Sequence, residues 1–307
     1  MDEYRLTIFT PVYNRAYCIG QCYESLKRQT DHRFQWMIID DGSTDGLAEI
    51  VSGWQNEKPP FKISYYYKEN GGMYTAYNMA LLHITSEYWM CIDSDDWMPE
   101  KAVEKIYQAM DECEHMDVSG IVGLDADPAG NILGGSFPSI IIKRKKISLI
   151  DLKTRVKHNG DMKMVYRTRC SDPYTPMSEI PGEKDFNPYY MMLQMDYERP
   201  LYPVNEVFCV ANYQDDGMSQ NVWKAYRRSP VSFGMFRLEF LRRKNLPMGF
   251  RYRQCVHYVS SWLLTLDHSD KRRKLPLPIK EPLMICAWIP GLLLSIIVRI
   301  RTLNYKK

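Results

Sequence analysis

Residues 34–45 read Phe34-Gln35-Trp36-Met37-Ile38-Ile39-Asp40-Asp41-Gly42-Ser43-Thr44-Asp45. The first six are mostly apolar and rich in β-branched and aromatic side chains, which predicts a strand covered on both faces of a sheet. The acids, glycine and hydroxyl residues that follow predict a turn and then a helix. A buried strand that ends in acids and leads into a helix is typical of a parallel α/β sheet.

The same strand–turn–helix pattern occurs four times in the first 113 residues. The predicted strands are 6–10, 34–39, 61–67 and 88–92, and the predicted helices are 18–28, 44–54, 74–84 and 99–113. Strands that alternate with helices of this length form βαβ units. We therefore predict an α/β fold with a mainly parallel sheet flanked by helices.

Composition limits the class of protein. The chain has 307 residues, of which 45% are apolar and 25% charged, and its mean hydropathy of −0.40 excludes a polytopic membrane protein. Residues 1–220 carry 22 Lys and Arg against 33 Asp and Glu, whereas residues 221–307 carry 18 against 4. An acidic body with a basic tail indicates a tail that meets an anionic surface.

The cysteines and the N-terminus both indicate a cytoplasmic protein. The eight cysteines include no Cys-x-x-Cys pair and no zinc-like cluster with histidine, so we expect ordinary reduced thiols. The first five residues lead directly into the first predicted strand, without the basic and apolar regions of a secretory signal.

Polar turns follow all four predicted strands. They are 10–15, 40–45, 68–73 and 93–96. Because ligands of open α/β sheets bind outside the carboxyl ends of the strands, we expect these turns to form one site. The turn Asp93-Ser94-Asp95-Asp96 holds three carboxylates, which repel one another unless a cation or hydrogen-bond donors compensate. Such oxygen ligands suit Mn²⁺ or Mg²⁺ bridging to substrate phosphates.

Other enzyme classes lack support in the sequence. It contains no Gly-x-Ser-x-Gly, no Gly-x-Gly-x-x-Gly and no Walker A loop, which argues against an α/β-hydrolase, a dehydrogenase and a P-loop NTPase. No nucleic-acid partner is expected. A divalent ion would stabilise the negative charge of a phosphate leaving group, and a carboxylate would take the proton of a hydroxyl nucleophile.

Four motifs in order carry a resemblance to a known family. They are Thr10-Pro11-Val12-Tyr13-Asn14-Arg15, Ile39-Asp40-Asp41-Gly42-Ser43-Thr44-Asp45, Glu69-Asn70-Gly71-Gly72 and Ile92-Asp93-Ser94-Asp95-Asp96. In this order they resemble inverting family 2 glycosyltransferases of the GT-A fold, similar to bacterial capsule and cell-surface polysaccharide enzymes. The resemblance covers about residues 4–221 and implies a metal-dependent transferase that uses a nucleotide sugar.

The resemblance also implies roles for individual residues. Asp41 would accept the hydrogen bond of the uracil imide, which favours a UDP-sugar, and Asp93 and Asp95 would form the Asp-x-Asp motif. Asp161 lies in a segment, 160–168, similar to one that borders the donor sugar. The full donor-binding set is Thr10, Pro11, Tyr13, Arg15, Asp41, Asn70, Gly71, Asp93, Ser94 and Asp161, and the metal set is Asp93, Asp95 and Asp216.

The general base has more than one candidate. The segment Gly182-Glu183-Lys184-Asp185 stands where the family usually has a Glu-Asp pair that supplies the base, but Lys184 interrupts the pair here. Asp185 is the first candidate, Glu183 the second and Asp161 the next. Asp216 stands where the family often has a metal-capping histidine, and an acid there would still ligate a metal.

Composition and resemblance together predict four segments: a nucleotide-sugar-binding half (1–125), an acceptor and base half (126–221), a helical extension (222–270) and a basic, apolar tail (271–307). The tail contains the uncharged run 283–298, flanked by basic residues on both sides and interrupted by Pro290 and Gly291. It is short for a spanning helix, and charge at both ends suits a segment lying in the cytoplasmic leaflet. A helix packed on the body and a true span are the alternatives.

The sequence therefore predicts a transferase peripheral to the inner face of the cell membrane. Its donor would be a UDP-sugar, its cofactor Mn²⁺ or Mg²⁺, and its acceptor a glycan or lipid-linked glycan in cell-surface glycan synthesis. Two alternatives remain open: a polyprenyl-phosphate sugar synthase, and a nucleotide-sugar-binding protein without catalysis.

Overall fold

The computed structural model describes residues 4–212, 221–268, 275–278 and 282–303. These residues form two compact units. The sheet unit contains residues 4–70, 75–176 and 194–212, and the helical unit contains residues 71–74, 177–193 and the described residues from 221 onward.

The described strands form one seven-stranded sheet in the order β3-β2-β1-β4-β6-β5-β7. Strands β1 to β4 run parallel to one another, and β5 runs parallel to β7, whereas β6 is antiparallel to β4 and β5. The predicted mainly parallel α/β sheet is therefore confirmed. The strands are β1 (Leu6–Val12), β2 (Phe34–Asp40), β3 (Lys62–Tyr67), β4 (Tyr88–Cys91), β5 (Gly120–Ala126), β6 (Met162–Arg167) and β7 (Leu201–Val210).

Helices connect these strands, and two short non-α helical turns accompany them. A π-helical turn covers Leu152–Val156 and a 3₁₀ turn covers Asp172–Tyr174. The helices are α1 (Ile19–Lys27), α2 (Leu47–Asn56), α3 (Met73–His83), α4 (Ala102–Cys113), α5 (Ser139–Arg144), α6 (Leu149–Asp151), α7 (Thr168–Ser171) and α8 (Tyr189–Glu198).

A large core of the sheet unit lies between the sheet and helices α1, α2 and α4. Tyr23 of α1 stacks on Trp54 of α2 with ring centroids 4.4 Å apart, and it lies over Trp36 of β2 at 6.1 Å. Aromatic contacts of this kind add to the burial of a large apolar area. They fix two helices against one face of the sheet and so fix where the strand ends lie.

Helix α2 begins three residues later than the sequence predicts, at Leu47 instead of Thr44. The residues before it are held by other contacts: the Thr44 amide donates to Asn14 Oδ1 at 2.8 Å, and Asp45 Oδ2 accepts from the Ala16 amide at 2.8 Å. Gly46 then has a φ of 82°, a left-handed conformation that precedes the helix. Thr44 and Asp45 therefore bind the loop after β1 instead of forming the first turn of α2.

The helical unit contains five described helices: α9 (Val222–Arg228), α10 (Pro230–Leu241), α11 (Met248–Thr265), α12 (Pro282–Cys286) and α13 (Trp288–Arg301). Helix α11 is the central one, because α9, α10, α12 and α13 all contact it. Pro290 lies in the first turn of α13, where its missing N–H breaks no helical hydrogen bond. In the part of the chain that the structure describes, no helix combines the length and hydropathy needed to cross a membrane.

Arg167 of β6 supports the fold by binding the end of α4. Its guanidinium donates to the carbonyls of Cys113, Glu114 and Met116 at 2.6–3.0 Å and to the Tyr88 hydroxyl at 2.9 Å. These carbonyls belong to the last turn of α4 and to the residues after it, where a helix leaves carbonyl groups without partners. The buried arginine thus joins a helix end to two strands.

We expect Arg167→Met to lower the free energy of unfolding by about 3 kcal/mol, because it leaves buried carbonyl groups without donors. The matched control is Arg199→Met, which removes an exposed ion pair with Asp117 and should cost less than about 1 kcal/mol. Urea unfolding followed by circular dichroism measures both. Equal stability of the two variants would contradict this role.

Candidate active site

The carboxyl ends of β1, β2, β3 and β4 lie along one edge of the sheet because these strands are parallel. Val12 at the end of β1 pairs with Asp40, which in turn pairs with Tyr67 at the end of β3. Strands β5 and β7 end at the same edge, and β6 begins there because it runs in the opposite direction. The predicted meeting of polar turns therefore follows from strand direction.

The turn after β2 meets the turn after β3 through Asp41. Its buried carboxylate accepts hydrogen bonds from Lys68 Nζ at 2.6 Å and Asn70 Nδ2 at 3.2 Å, and the Asp41 carbonyl accepts from Asn70 Nδ2 at 2.9 Å. Gly42 has a φ of 87°, and a Cβ on it would lie 2.8 Å from the Asn70 nitrogen. The close approach therefore requires glycine.

The turn after β1 is attached to the turn after β2. The Asn14 amide donates to Ser43 Oγ at 3.0 Å, and Asn14 Oδ1 accepts from the Thr44 amide. Tyr13 next to it is 51% exposed, so its ring is available at the edge. Arg15 lies over the ring of Tyr17 at 5.6 Å.

Two residues of the predicted donor set lie inside the sheet. Thr10 is fully buried, and its Oγ1 accepts a hydrogen bond from Trp36 Nε1 at 3.0 Å. Pro11 is also buried, opposite Ile39 in the β1–β2 pair. Gly71 belongs to the helical unit, whereas Asn70 before it belongs to the sheet unit.

The turn after β4 holds the three acids, and the structure separates their surroundings. Asp96 is buried, and its carboxylate accepts from the Asn212 amide at 3.0 Å and lies 3.5 Å from Lys163 Nζ. Ser94 is also buried, while Asp93 and Asp95 are partly exposed. Asp96 therefore attaches the end of β7 to this turn, and Asp93 and Asp95 are the acids of the Asp-x-Asp motif that solvent reaches.

Lys163, near the start of β6, is the cation among these acids. Its side chain is only 12% exposed, and Nζ lies 3.9 Å from Asp125 Oδ2 as well as 3.5 Å from Asp96. Burial lowers the pKa of Lys163, but the surrounding anionic groups, among them Asp125, Asp96 and Asp93, outweigh it and raise that pKa well above its ordinary value. Lys163 is therefore a permanent positive charge.

Burial raises the pKa of two of these acids. The pKa of Asp93 lies above its ordinary value, with Asp96 and Asp161 adding to the rise and Lys163 opposing it. Burial likewise raises the pKa of Asp125, at the end of β5, from 3.8 to about 7, although Lys163 opposes this rise too. Asp125 Oδ1 is buried without a hydrogen-bond partner. Asp161 is exposed and interacts electrostatically with both acids.

The chemistry of these acids suits a divalent ion that is shared with a substrate. Within the described ranges, no three His, Cys, Asp or Glu side chains are grouped closely enough to hold a metal by themselves. Mg²⁺ is usually bound through one or two carboxylates plus substrate phosphates, so a full protein cage is not required. Asp93 and Asp95 meet that requirement, and Asp216 lies outside the described residues.

The two predicted base residues lie in the helical unit and contact the start of α10. The Glu183 carboxylate is buried and accepts from the Val231 amide at 3.0 Å, the Ser232 amide at 2.7 Å and Ser232 Oγ at 2.6 Å. It satisfies amides that the first turn of a helix leaves without partners. Asp185 accepts from Arg228 Nε at 2.8 Å and Ser229 Oγ at 2.7 Å.

A model of the family described as "Glycosyl transferase family 2" matches residues 7–167, just over half of the chain. The chain belongs to glycosyl transferase family 2. This confirms the resemblance drawn from the four motifs. The matched residues include every turn of the sheet edge up to Lys163, and they end before Glu183 and Asp185.

Named relatives match part of the chain. "Glycosyltransferase GlyA" of Streptococcus pneumoniae is 32% identical over 108 residues, which are 35% of this chain and 15% of that protein. "Hyaluronan synthase" of Pasteurella multocida is 27% identical over 143 residues, 47% of this chain and 14% of that protein, and "Chondroitin synthase" of the same species matches equally. The chain thus corresponds to a minor part of these relatives.

Solved structures share the fold at low identity. TarS 1-349 of S. aureus, in complex with UDP-GlcNAc, is 18% identical with a TM-score of 0.57 over 96% of this chain and 81% of that one. The mannosyltransferase PcManGT of Pyrobaculum calidifontis, in complex with GDP-Man and Mn²⁺, is 15% identical with a TM-score of 0.58 over 96% and 88%. The GT-A fold is confirmed.

Two residues of the edge, Asp125 and Lys163, are absent from the predicted site. Asp125 ends the apolar run that starts at Gly120, so the rule applied to the first four strands would have found it at the fifth. Lys163 precedes an apolar strand in place of following one. Its position is informative only once β6 is known to be antiparallel.

We expect Asp125→Asn to change how stability depends on pH. In the folded chain Asp125 keeps its proton up to about pH 7, whereas the unfolded chain releases it near pH 4. The folded state therefore binds more protons between these values, and the stability of the wild type falls relative to the variant as pH rises from about 4 to 7. Lys163 stays charged across this range.

Urea unfolding of wild type and Asp125→Asn at several pH values measures the difference in their free energies of unfolding. This difference in the free energy of unfolding should change by about 2–4 kcal/mol between about pH 4 and pH 7. The control is Asp117→Asn, an exposed acid of the same unit, whose difference from wild type should hardly change. A constant difference for Asp125→Asn would contradict the raised pKa.

Proposed function

We propose that this chain is a metal-dependent, inverting glycosyltransferase that moves a sugar from a UDP-sugar to a hydroxyl acceptor. The observation that carries the proposal is the sheet edge, where Asp41 with Lys68 and Asn70 lies on one side of β1 and Asp93 with Asp95 on the other. Ligands of open α/β sheets bind at such edges. These two turns would bind a nucleotide and its diphosphate.

Uracil is the proposed base of the donor nucleotide. The Asp41 carboxylate is an acceptor held in place by two donors, and the imide N–H of uracil would add a third. TarS structures with UDP and with UDP-GlcNAc support a uridine donor, whereas the PcManGT structure contains GDP-Man. Because both have the same fold, the base must be decided by contacts such as that of Asp41.

Mn²⁺ or Mg²⁺ is the proposed cofactor, with Asp93 and Asp95 as its protein ligands and Asp216 as a further candidate. The ion would stabilise the negative charge that develops on the departing diphosphate. Lys163 would hold the neighbouring acids in place without competing for the substrate, because its charge is already shared among them.

A carboxylate base would take the proton of the acceptor hydroxyl as the new bond forms. A single displacement of this kind inverts the anomeric centre. Asp185 remains the first candidate because its carboxylate is 15% exposed, whereas Glu183 is buried and accepts three hydrogen bonds. Asp161 is the next candidate.

The proposed acceptor is a glycan or lipid-linked glycan in cell-surface glycan synthesis, with the enzyme peripheral to the inner face of the cell membrane. The names of the two Pasteurella multocida relatives support synthesis of a surface polysaccharide. The basic composition of residues 221–307 supports contact with an anionic surface.

A donor screen tests the proposed function. Nucleotide release is measured for a panel of UDP- and GDP-sugars with Mn²⁺ or Mg²⁺, with and without simple glycan acceptors. We expect release from a UDP-sugar that increases with acceptor. Release from GDP-sugars alone would overturn the uridine assignment, and binding without release would favour the second candidate.

The second candidate is a nucleotide-sugar-binding protein without transfer. The occupied carboxylates of Glu183 and Asp185 favour it, since each already accepts hydrogen bonds from neighbouring groups. A base in such surroundings must give up or share those donors before it takes a proton.

We expect Asp95→Asn to lower turnover at least about 100-fold, because the substitution keeps the shape and removes one charge that would hold the ion. EDTA should stop the wild-type reaction, and Mn²⁺ should restore it. Asp117→Asn, which removes an exposed acid elsewhere in the sheet unit, is the control and should retain turnover. Full activity in chelator would contradict the proposed metal.

The base is identified with the amide variants Asp185→Asn, Glu183→Gln and Asp161→Asn. The variant of the true base should lose at least about 100-fold in turnover, since general bases contribute that much or more. Its affinity for the UDP-sugar, measured by calorimetry, should hardly change. Glu183→Gln keeps an acceptor for the α10 amides, and its thermal unfolding checks that the helix is intact. Near-normal turnover in all three would place the base elsewhere.

A further inference from the structure

Helix α13 packs against α9 and α11 through a face of mostly small and polar residues. Gly291, Ser295, Val298 and Thr302 recur at helical spacing and are buried. A Cβ on Gly291 would lie 2.6 Å from Val259 Cβ, so α13 approaches α11 as closely as glycine allows. Close packing through small residues spaced four apart is the way helices associate in lipid.

The opposite face of α13 is apolar and exposed, and it continues to Leu303 after the helix ends. We call it the isoleucine–leucine stripe. Its members are Ile289, Leu292, Leu293, Ile296, Ile297, Ile300 and Leu303, each between 41% and 74% exposed. Ile285 of α12, 60% exposed, precedes it in the chain. The spacing of three and four residues makes these side chains a single continuous face.

Helix α13 thus reverses the usual arrangement of a surface helix. Ordinarily the apolar face meets the core and the polar face meets water. In α13 and the two residues after it, Ser295 and Thr302 are buried, while the seven large aliphatic side chains of the stripe are exposed. A contiguous patch of this kind indicates a partner surface and not chance exposure.

The charges around the stripe select the partner. Glu281 is the last acidic residue of the sequence, and after it Arg301, Lys306 and Lys307 provide three positive charges, while Arg299 is paired with Asp267. Before it, the sequence has Lys271, Arg272, Arg273, Lys274 and Lys280. An apolar face between basic segments suits the surface of a bilayer that contains anionic lipids.

We propose that the isoleucine–leucine stripe is the surface through which this protein docks on an anionic lipid bilayer, with α13 lying in the plane of the interface. The inference deepens the membrane location given under the proposed function and names the residues that would make the contact. Helix α13 has 14 residues, about 21 Å in length, which is short of the roughly 30 Å hydrocarbon core. It would therefore lie on the bilayer.

A second copy of the chain fits the stripe less well. Two stripes placed face to face would put two α13 helices in one interface, and α13 contains Arg301 but no acidic residue. Anionic lipid headgroups would neutralise that charge. Charge therefore favours lipid over self-association.

Co-sedimentation with vesicles tests the proposal, and it needs neither donor nor acceptor. The full chain is mixed with phosphatidylcholine vesicles that contain or lack phosphatidylglycerol. We expect binding to the anionic vesicles, weakened by salt. Leu293→Glu combined with Ile297→Glu should lower the partition coefficient at least about tenfold, because both side chains would lose their burial in lipid. Arg301→Gln should lower it about fivefold, on anionic vesicles only.

The matched control combines Leu82→Glu with Ile140→Glu, two exposed aliphatic residues of the sheet unit, and should bind as the wild type does. A second measurement leaves the stripe unchanged. Cys286, the one exposed cysteine of the eight, can carry a fluorescent label. With an environment-sensitive fluorophore there, vesicles should shift the emission to shorter wavelength.

Three outcomes would overturn the proposal: wild type that stays in the supernatant, a stripe variant that binds like wild type, or a concentration-dependent dimer that the stripe variant dissociates while no vesicle binding occurs. Failure of the proposed function is seen separately, because nucleotide release from a UDP-sugar is measured without vesicles. A chain that docks but does not transfer sugar, or the reverse, is therefore recognised.

Discussion

The parallel pairing of β1 with β2 and β4 is the constraint on which the rest of the sheet unit depends. Leu6–Val12 pairs with β2 along its whole length and with β4 over its first residues. Each of these strands must return through a helix before the next begins. All their carboxyl ends therefore lie at one edge, and polar residues that would be scattered along the chain become neighbours in space.

Gathering acids at one edge creates an electrostatic problem that the antiparallel strand β6 partly solves. Because β6 begins where its neighbours end, a residue near its start, Lys163, brings an ammonium among Asp93, Asp96 and Asp125. One cation against three carboxylates leaves an excess of negative charge. The proton that Asp125 keeps to about pH 7 removes part of that excess, and a divalent ion at Asp93 and Asp95 would remove more.

The sequence predicted the parts of the structure that local pattern controls. Strands β1 to β4, the sheet they form and the meeting of their polar turns at one edge follow from apolar runs that end in polar turns. Lys163 was missed because its place depends on the direction of a strand, which no local pattern encodes. The start of α2 was wrong by three residues, since Thr44 and Asp45 bind the turn after β1.

The surroundings of Glu183 and Asp185 could not be predicted from the sequence for a different reason. A Glu and an Asp separated by one residue look alike in a motif, but one accepts amides at the start of α10 and the other pairs with Arg228. The partners come from residues more than 40 positions away, which a motif cannot contain. The surroundings of Glu183 and Asp185 therefore depend on α9 and α10, and only their position in the chain follows from the family motif.

The C-terminal run 283–298 shows why hydropathy alone could not distinguish an anchor from a packed helix. Average hydropathy counts every side chain of a helix, whichever way it faces. The structure divides the run: Gly291, Ser295 and Val298 lie against α11, and the isoleucine–leucine stripe lies outward. Helix α13 packs through its small residues, and the docking proposed above would cover the large aliphatic ones that the described chain leaves exposed.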